Sequence, residues 1–294
     1  NHTHTENAYD DYQRQPLLPF KRSQQGPSLA WFDLDGDGIE DLIAGAGAGG
    51  APSVFYSDGR GGFTLGRSAP ELTATGDHLG LVGFRDPTRG PRLIAAVSGY
   101  EIPQKTPVYL AASSNRALAR LEAANLPANY SSASTLALGC LTPPAGMALF
   151  VAGGVDPGRY PFARPSALLV QDASGWKYDA RNSASLANLG LVNGVVWSDL
   201  DGDGFPELIL ACEWGPLRIF SLASNPPQEL IASWRIDTLK GFLNSVTSGD
   251  FDGDGRMDLV AGNWGKNHPA NESGAILLHG DLDANGTYDV VEAY

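Results

Sequence analysis

The chain has 294 residues and a formal net charge of −13, from 20 Lys and Arg against 33 Asp and Glu. That length supports a large core, and the absence of a basic stripe or Arg/aromatic interleaving excludes a nucleic-acid partner. No apolar run approaches the roughly 20 residues that span a bilayer, so no transmembrane segment is predicted.

The chain opens on Asn1-His2-Thr3-His4-Thr5-Glu6-Asn7, which is polar and has no signal-peptide core. It reads as a processed N-terminus or as the start of a stretch within a longer precursor. His2 and His4 have strand-like i, i+2 spacing, but in so polar a segment a mobile tail is the expectation. Residues 1–26 are read as an N-terminal extension or ring-closing segment, and 27–294 as one repeat domain.

One pattern then returns three times: Phe32-Asp33-Leu34-Asp35-Gly36-Asp37-Gly38-Ile39-Glu40-Asp41-Leu42-Ile43; Ser198-Asp199-Leu200-Asp201-Gly202-Asp203-Gly204-Phe205-Pro206-Glu207-Leu208-Ile209; and Gly249-Asp250-Phe251-Asp252-Gly253-Asp254-Gly255-Arg256-Met257-Asp258-Leu259-Val260. A fourth copy, Asp281-Leu282-Asp283-Ala284-Asn285-Gly286-Thr287-Tyr288-Asp289, keeps the spacing with Asn285 in place of the third Asp. About half of the acidic residues lie in these clusters, and a divalent cation in each would bring the net charge to about −5.

Between the first and second copies, two degenerate relatives keep the flanking apolar runs and lack the carboxylates. One runs from Gly80–Asp86 through Pro87–Gly90 to Leu93–Val97, the other from Leu136–Leu141 through Pro143–Gly146 to Ala148–Ala152. Units therefore start near residues 32, 83, 138, 198 and 249, and the segment from about 279 reads either as an inner hairpin of the last blade or as the start of a further unit. A period of roughly 50–60 lies near that of propeller blades. Each unit holds about four short apolar runs between turn residues; in the fourth they are Gly194–Trp197, Glu207–Cys212, Leu217–Phe220 and Glu229–Trp234. Such runs read as strands. Only Ser114–Asn125 is amphipathic at a helical period, and it reads equally as an outer strand. The predicted fold is all-β: a β-propeller of four-stranded blades, five to seven in the ring.

The Asp-rich turn followed by Leu-Ile-Ala-Gly, then by Gly50-Ala51-Pro52 before Ser53–Tyr56, resembles the FG-GAP or VCBS repeat. Repeats of that family build the propellers of integrin alpha subunits, of cartilage acidic protein-like secreted proteins and of bacterial surface proteins. The resemblance runs through nearly the whole chain after residue 26 and implies fold and calcium more than biological role.

Calcium takes six to eight oxygen ligands, carboxylates supplying charge and carbonyls completing the shell. Alternate Asp residues in a tight turn point inward, and glycines at positive φ let the chain wrap one ion. The expected ligands are Asp33, Asp35, Asp37 and Asp41 with the Ile39 carbonyl; Asp199, Asp201, Asp203 and Glu207 with Phe205; Asp250, Asp252, Asp254 and Asp258 with Arg256; and Asp281, Asp283, Asn285 and Asp289 with Thr287. An EF-hand needs a Glu at loop position twelve and helices on both sides. Ala44, Leu210 and Ala261 hold that position in the first three loops, and Glu292 in the fourth. Magnesium prefers tighter, wetter octahedral sites.

Other motifs carry less. The glycines of Gly45–Gly50 lack the Lys and helix of a phosphate loop and read as an inter-strand turn. No Ser lies in a G-x-S-x-G elbow. Cys140 and Cys212 allow a single disulfide, but both sit in apolar stretches where free buried thiols are ordinary, and free thiols are the expectation. Trp197, Trp214, Trp234 and Trp264 are read mainly as packing residues. Asn1, Asn129, Asn271 and Asn285 head glycosylation sequons, the last inside a proposed metal loop. The functional expectation is a secreted or surface-displayed scaffold, stiffened by calcium, that engages an extracellular protein or glycan, alone or within a larger assembly. The alternative is a carbohydrate-active enzyme of the polysaccharide-lyase kind, which would need a general base converging with charge-neutralising groups outside the metal loops.

Overall fold

The computed structural model describes residues 2–142, 145–172, 174–230, 240–265 and 276–293. Short Val-, Ile-, Leu- and Ala-rich runs between Gly, Pro and Asp turns extend and pair with their sequence neighbours. Strands β1 (Leu29–Phe32), β2 (Asp41–Ala44), β3 (Ser53–Ser57) and β4 (Phe63–Leu65) form a four-stranded antiparallel meander. After β5 (Arg67–Ser68) comes a second, of β6 (His78–Asp86), β7 (Gly90–Val97), β8 (Val108–Ser114) and β9 (Ala117–Ala123), with β5 added in parallel beside β9. The third is β10 (Ala133–Thr142), β11 (Ala145–Gly153), β12 (Ala167–Asp172) and β13 (Gly175–Tyr178). Helix α1 (Ala180–Leu186) leads to the fourth, β14 (Val192–Ser198), β15 (Glu207–Cys212), β16 (Gly215–Ser221) and β17 (Gln228–Glu229). β18 (Lys240–Gly241) pairs with the start of β16. Two hairpins follow, β19 (Leu243–Gly249) with β20 (Asp258–Asn263), and β21 (Ile276–Gly280) with β22 (Asp289–Ala293). The chain is all-β in its described part, and the four-stranded meander is the unit of a propeller blade.

Residues 1–11 with 21–136 form one compact unit, and residues 12–20 with 137–294 a second. In the first, Ile43 and Val54 pack with Leu93, Ala95, Val97, Tyr109 and Leu118, so two sheets bury one shared apolar layer. In the second, β15 is buried along its whole length. Its alternation explains why: Leu208, Leu210 and Cys212 join Phe150, Leu168 and Leu186 on one side. Ile209 and Ala211 join Ile219, Leu243 and Val246 on the other. From Leu208 on, the strand is covered on both faces and is apolar at every position, while Glu207 at its start turns back to the loop.

The first strands of neighbouring sheets approach closely, and glycine makes that approach possible. A Cβ on Gly83 of β6 would run into the Phe32 ring of β1, and one on Gly139 of β10 into the Trp197 indole of β14. Trp197 is fixed there by its Nε1, which donates to the Ala137 carbonyl at 3.3 Å.

Several sequence expectations meet the structure here. Within Ser114–Asn125 the outer-strand reading holds, as β9. Helix α1 was not foreseen: seven residues are too few to show a period, and it is fixed by Asp179, whose side chain accepts from the Asn182 amide. The runs Gly194–Trp197, Glu207–Cys212 and Leu217–Phe220 fall in β14, β15 and β16. Glu229–Trp234 lies mostly outside the described residues, as does Trp234. The polar N-terminal segment is held rather than loose, with the His2 ring edge-on to Phe55 at 5.2 Å. Cys140 and Cys212 are both free, and burial pushes the Cys212 thiol up to about 11.

The close approach at Gly139 gives a direct test. Gly139→Val should cost about 1–3 kcal/mol, the range for overpacking a filled site. It should appear as a lower denaturant midpoint at unchanged m-value. An unshifted midpoint would mean that Trp197 can vacate its position freely.

Candidate metal centre

Each acidic loop joins two antiparallel strands: β1 to β2, β14 to β15, β19 to β20, and β21 to β22. Strands on both sides exclude an EF-hand in all four. In the fourth, Glu292 stands within β22 opposite Leu277 and is not part of the loop.

The loops share one hydrogen-bond plan, and their sequence dictates it. In the first, Asp33 accepts from the Gly36 amide through Oδ1 at 2.7 Å and from the Gly38 amide through Oδ2 at 3.1 Å. Asp35 accepts from the Asp37 amide, and Asp37 from the Ile39 amide. Asp199 does the same for Gly202 and Gly204, at 2.8 and 2.9 Å, and Asp250 for Gly253 and Gly255, at 2.7 and 3.0 Å. Asp201 and Asp203 then serve the Asp203 and Phe205 amides, and Asp252 and Asp254 those of Asp254 and Arg256. In the fourth loop Asp281 takes the Asn285 and Gly286 amides, and the Asn285 side-chain carbonyl takes that of Thr287. The bends need positive φ: Gly202 is at +77° and Gly204 at +86°, with open space around both. Ala284 stands at the equivalent of Gly202 with φ +58°, a conformation that strains an L-residue.

Within the first three loops one oxygen each of Asp33, Asp35 and Asp37, of Asp199, Asp201 and Asp203, and of Asp250, Asp252 and Asp254 lie within 4.8 Å of one another. In the fourth the group is Asp281, Asp283 and Asp289. The remaining expected ligands, Asp41, Glu207 and Asp258, are not in those groups. Instead each accepts an amide at the head of its own loop: Leu34, Leu200 and Phe251, at 3.1, 2.9 and 3.0 Å. Asp41 also accepts from the Ser57 amide of β3 at 3.0 Å, tying the loop to a third strand. Burial raises the Asp41 carboxyl above its usual range, against the opposing pull of the Ser57 and Leu34 amides. Burial raises Glu207 likewise, the Leu200 amide opposing, with the charges of Asp201, Asp203 and Asp199 adding to the rise.

Two functional neighbours were invisible in sequence. Arg85 reaches Asp33 at 2.7 Å and Arg116 reaches Asp35 at 3.6 Å, both from the second sheet. They lie far along the chain from the loop, so no local spacing could reveal them. The degenerate turn between β6 and β7 keeps a single acid, Asp86, which accepts the Thr88 and Arg89 amides at 2.9 Å.

Residues 199–261, from the second acidic loop through the third and into β20, match the family described as FG-GAP-like repeat. The chain carries an FG-GAP-like repeat. The resemblance read from the turns is shown over these residues. No curated protein matches the sequence. Among solved structures, BBS1N in complex with ARL6DN, soaked with lead, matches at TM-score 0.38 and 11% identity, over 81% of this chain and 76% of its own.

Within the FG-GAP-like repeat, Gly204 has nothing near its missing Cβ, so Gly204→Ala isolates backbone strain. A cost of about 1–2 kcal/mol is expected, and Ala284→Gly should gain on the same scale. Chemical denaturation of both variants checks this; a neutral Gly204→Ala would show that the turn does not need positive φ.

Proposed function

We propose that the protein is a calcium-stiffened extracellular β-propeller, closed by five to seven blades, that serves as a binding or adhesion scaffold for a protein or glycan. The observation that carries this reading is the fourfold recurrence of one loop, each copy holding three carboxylates within 4.8 Å. The donor set is all oxygen, hard and anionic, without a His or Cys in any of the four groups. That suits calcium better than zinc or copper, and the run of carboxylates and carbonyls along a flexible turn suits calcium better than magnesium.

The side chains that would hold the ions are Asp33, Asp35, Asp37 and Asp41; Asp199, Asp201, Asp203 and Glu207; Asp250, Asp252, Asp254 and Asp258; and Asp281, Asp283, Asn285 and Asp289. Carbonyls of Ile39, Phe205, Arg256 and Thr287 would complete the shells. A bound ion supplies positive charge that offsets carboxylate repulsion within the turn. The protein's own part is to hold the first acid of each loop in place on two or more amides, so that little remains to be ordered on binding. An extracellular setting is part of this reading, since oxygen sites of extracellular modules fill at about 10⁻⁴–10⁻³ M calcium. Among the described residues no helix is long and apolar enough to cross a membrane.

Melting in excess calcium and in excess EGTA tests the metal part. At about a hundredfold excess over Kd, binding to the folded state alone adds about 2.7 kcal/mol per site. For a chain of this size each kcal/mol raises Tm by about 2–4 °C. Coincident curves, or an equal rise with magnesium, would overturn the calcium assignment. Glycan-array and pull-down binding, each run with calcium and with EGTA, tests the scaffold role; retention that ignores calcium would separate the partner surface from the loops.

A further inference from the structure

The N-terminal segment lies along the Gly45–Gly50 turn that joins β2 to β3, and the glycines are its seat. A Cβ on Gly47 would run into the Glu6 carboxylate. One on Gly49 would meet the Asn7 amide at 2.9 Å, and one on Gly50 would meet the Thr5 Cβ at 3.2 Å. Gln24 Nε2 donates to the Asn7 carbonyl at 2.9 Å, and Tyr9 meets Tyr100 edge-on at 6.1 Å. The turn read in sequence as a plain inter-strand connection is thus a cradle for Thr5, Glu6 and Asn7.

At its centre three acids meet. One oxygen each of Glu6, Asp77 and Glu101 lie within 4.8 Å of one another, with Asp77 3% and Glu101 9% exposed. The Ala48 amide donates to both Glu6 Oε1 and Asp77 Oδ1, each at 3.2 Å, while Asp77 Oδ2 accepts from the Gln25 amide at 2.8 Å. One N–H cannot neutralise two facing carboxylates, whereas a shared proton can. We propose that Asp77 and Glu101, facing Glu6, form a protonation latch that pins the N-terminal segment to the Gly45–Gly50 turn in acid and releases it as Asp77 and Glu101 ionise.

The surrounding charges agree with that direction. Burial first, then the Glu6 charge, raises Asp77 to about 6; the Gln25 and Ala48 amides and His4 oppose the rise. Burial first, then the Asp77 charge, raises Glu101 to about 7, with Glu6 and Asp11 adding and a backbone hydrogen bond with Gln24 opposing. His78, beside Asp77, is disfavoured as a cation by burial, against a backbone hydrogen bond with Ala46, and its ring is held by Ala46 and the Tyr109 hydroxyl. Carboxyls raised above their unfolded values of about 4 favour the strapped state most below that pH. The contribution is lost as pH rises through about 6 and 7. Glu6 is the member that can leave, because residues 2–10 belong to no strand or helix.

The test is NMR on the full chain, reading the Tyr9–Tyr100 ring contact, which lies outside the carboxyl cluster itself. The contact should be present near pH 5 and lost near pH 8, by about tenfold or more in population, the weight of one pK unit. Glu6→Gln should keep the contact at both pH values, and Gly47→Ala should lose it at both without changing any charge. A contact unchanged with pH in the unaltered chain, or a full pH response surviving in Glu6→Gln, would overturn the latch. So would its complete restoration near pH 8 by calcium alone, which would make the cluster a cation site.

Discussion

Everything in the acidic turns depends on one interaction, the first carboxylate of each loop accepting amides from three and five residues on. Asp33, Asp199 and Asp250 each take both, and Asp281 takes the latter of the two along with the amide four residues on. A charged acceptor bonded to amides is shorter and stronger than a neutral pair, and here it replaces the backbone partners that a tight bend cannot have. The bend then sets where the second strand begins. Asp41, Glu207, Asp258 and Asp289 sit at that start, each paired with the last residue of the strand before: Phe32, Ser198, Gly249 and Gly280. Each reaches back to the loop's second residue, so turn and register are fixed together.

Register matters because of what the second strands bury. β15 splits its side chains between two apolar layers, and a slip of one residue would exchange them. The glycines of the first strands add a second demand, since Gly83 and Gly139 lie under aromatic rings that only a side-chain-free position admits. The sheets therefore pack by close approach at their first strands and by interdigitated aliphatics further out. The acidic loops lie at the exposed ends of the same hairpins, where solvent can reach their carboxylates.

How much of this was legible follows from distance along the chain. The loops were readable because the alternating acids, the glycines and the strand start all fall within twelve residues, and the fourth loop repeats the plan despite Asn285. The degenerate units were readable from apolar runs alone, and appear as β6–β7 and β10–β11. What escaped was non-local or too short to have a period. Arg85 and Arg116 reach the first loop from another sheet, α1 is a capped helix of about two turns, and Glu6, Asp77 and Glu101 share no local pattern. The function of Gly45–Gly50 was hidden for the same reason: nothing local shows that Glu6 and Asn7 lie on it.

The two kinds of acid cluster in this chain differ in the one variable that decides their chemistry, exposure to water. Two unit charges about 4.8 Å apart repel by roughly 1 kcal/mol in water and roughly 3.5 kcal/mol at an effective dielectric of 20. In the loops, Asp35, Asp37, Asp201, Asp203, Asp252 and Asp254 are exposed, so repulsion is small and the carboxylates stay available to a cation. Amides on the first acid hold them in place at little further cost. Around Asp77 and Glu101 water is excluded, the repulsion is several times larger, and Glu6 competes for an amide already taken. A proton is the smallest ligand that removes the conflict there, whereas at the surface the conflict is mild enough to wait for an ion. Similar carboxylate spacing thus gives water-exposed acidic loops at the strand ends and a buried acidic cluster beneath the N-terminal segment.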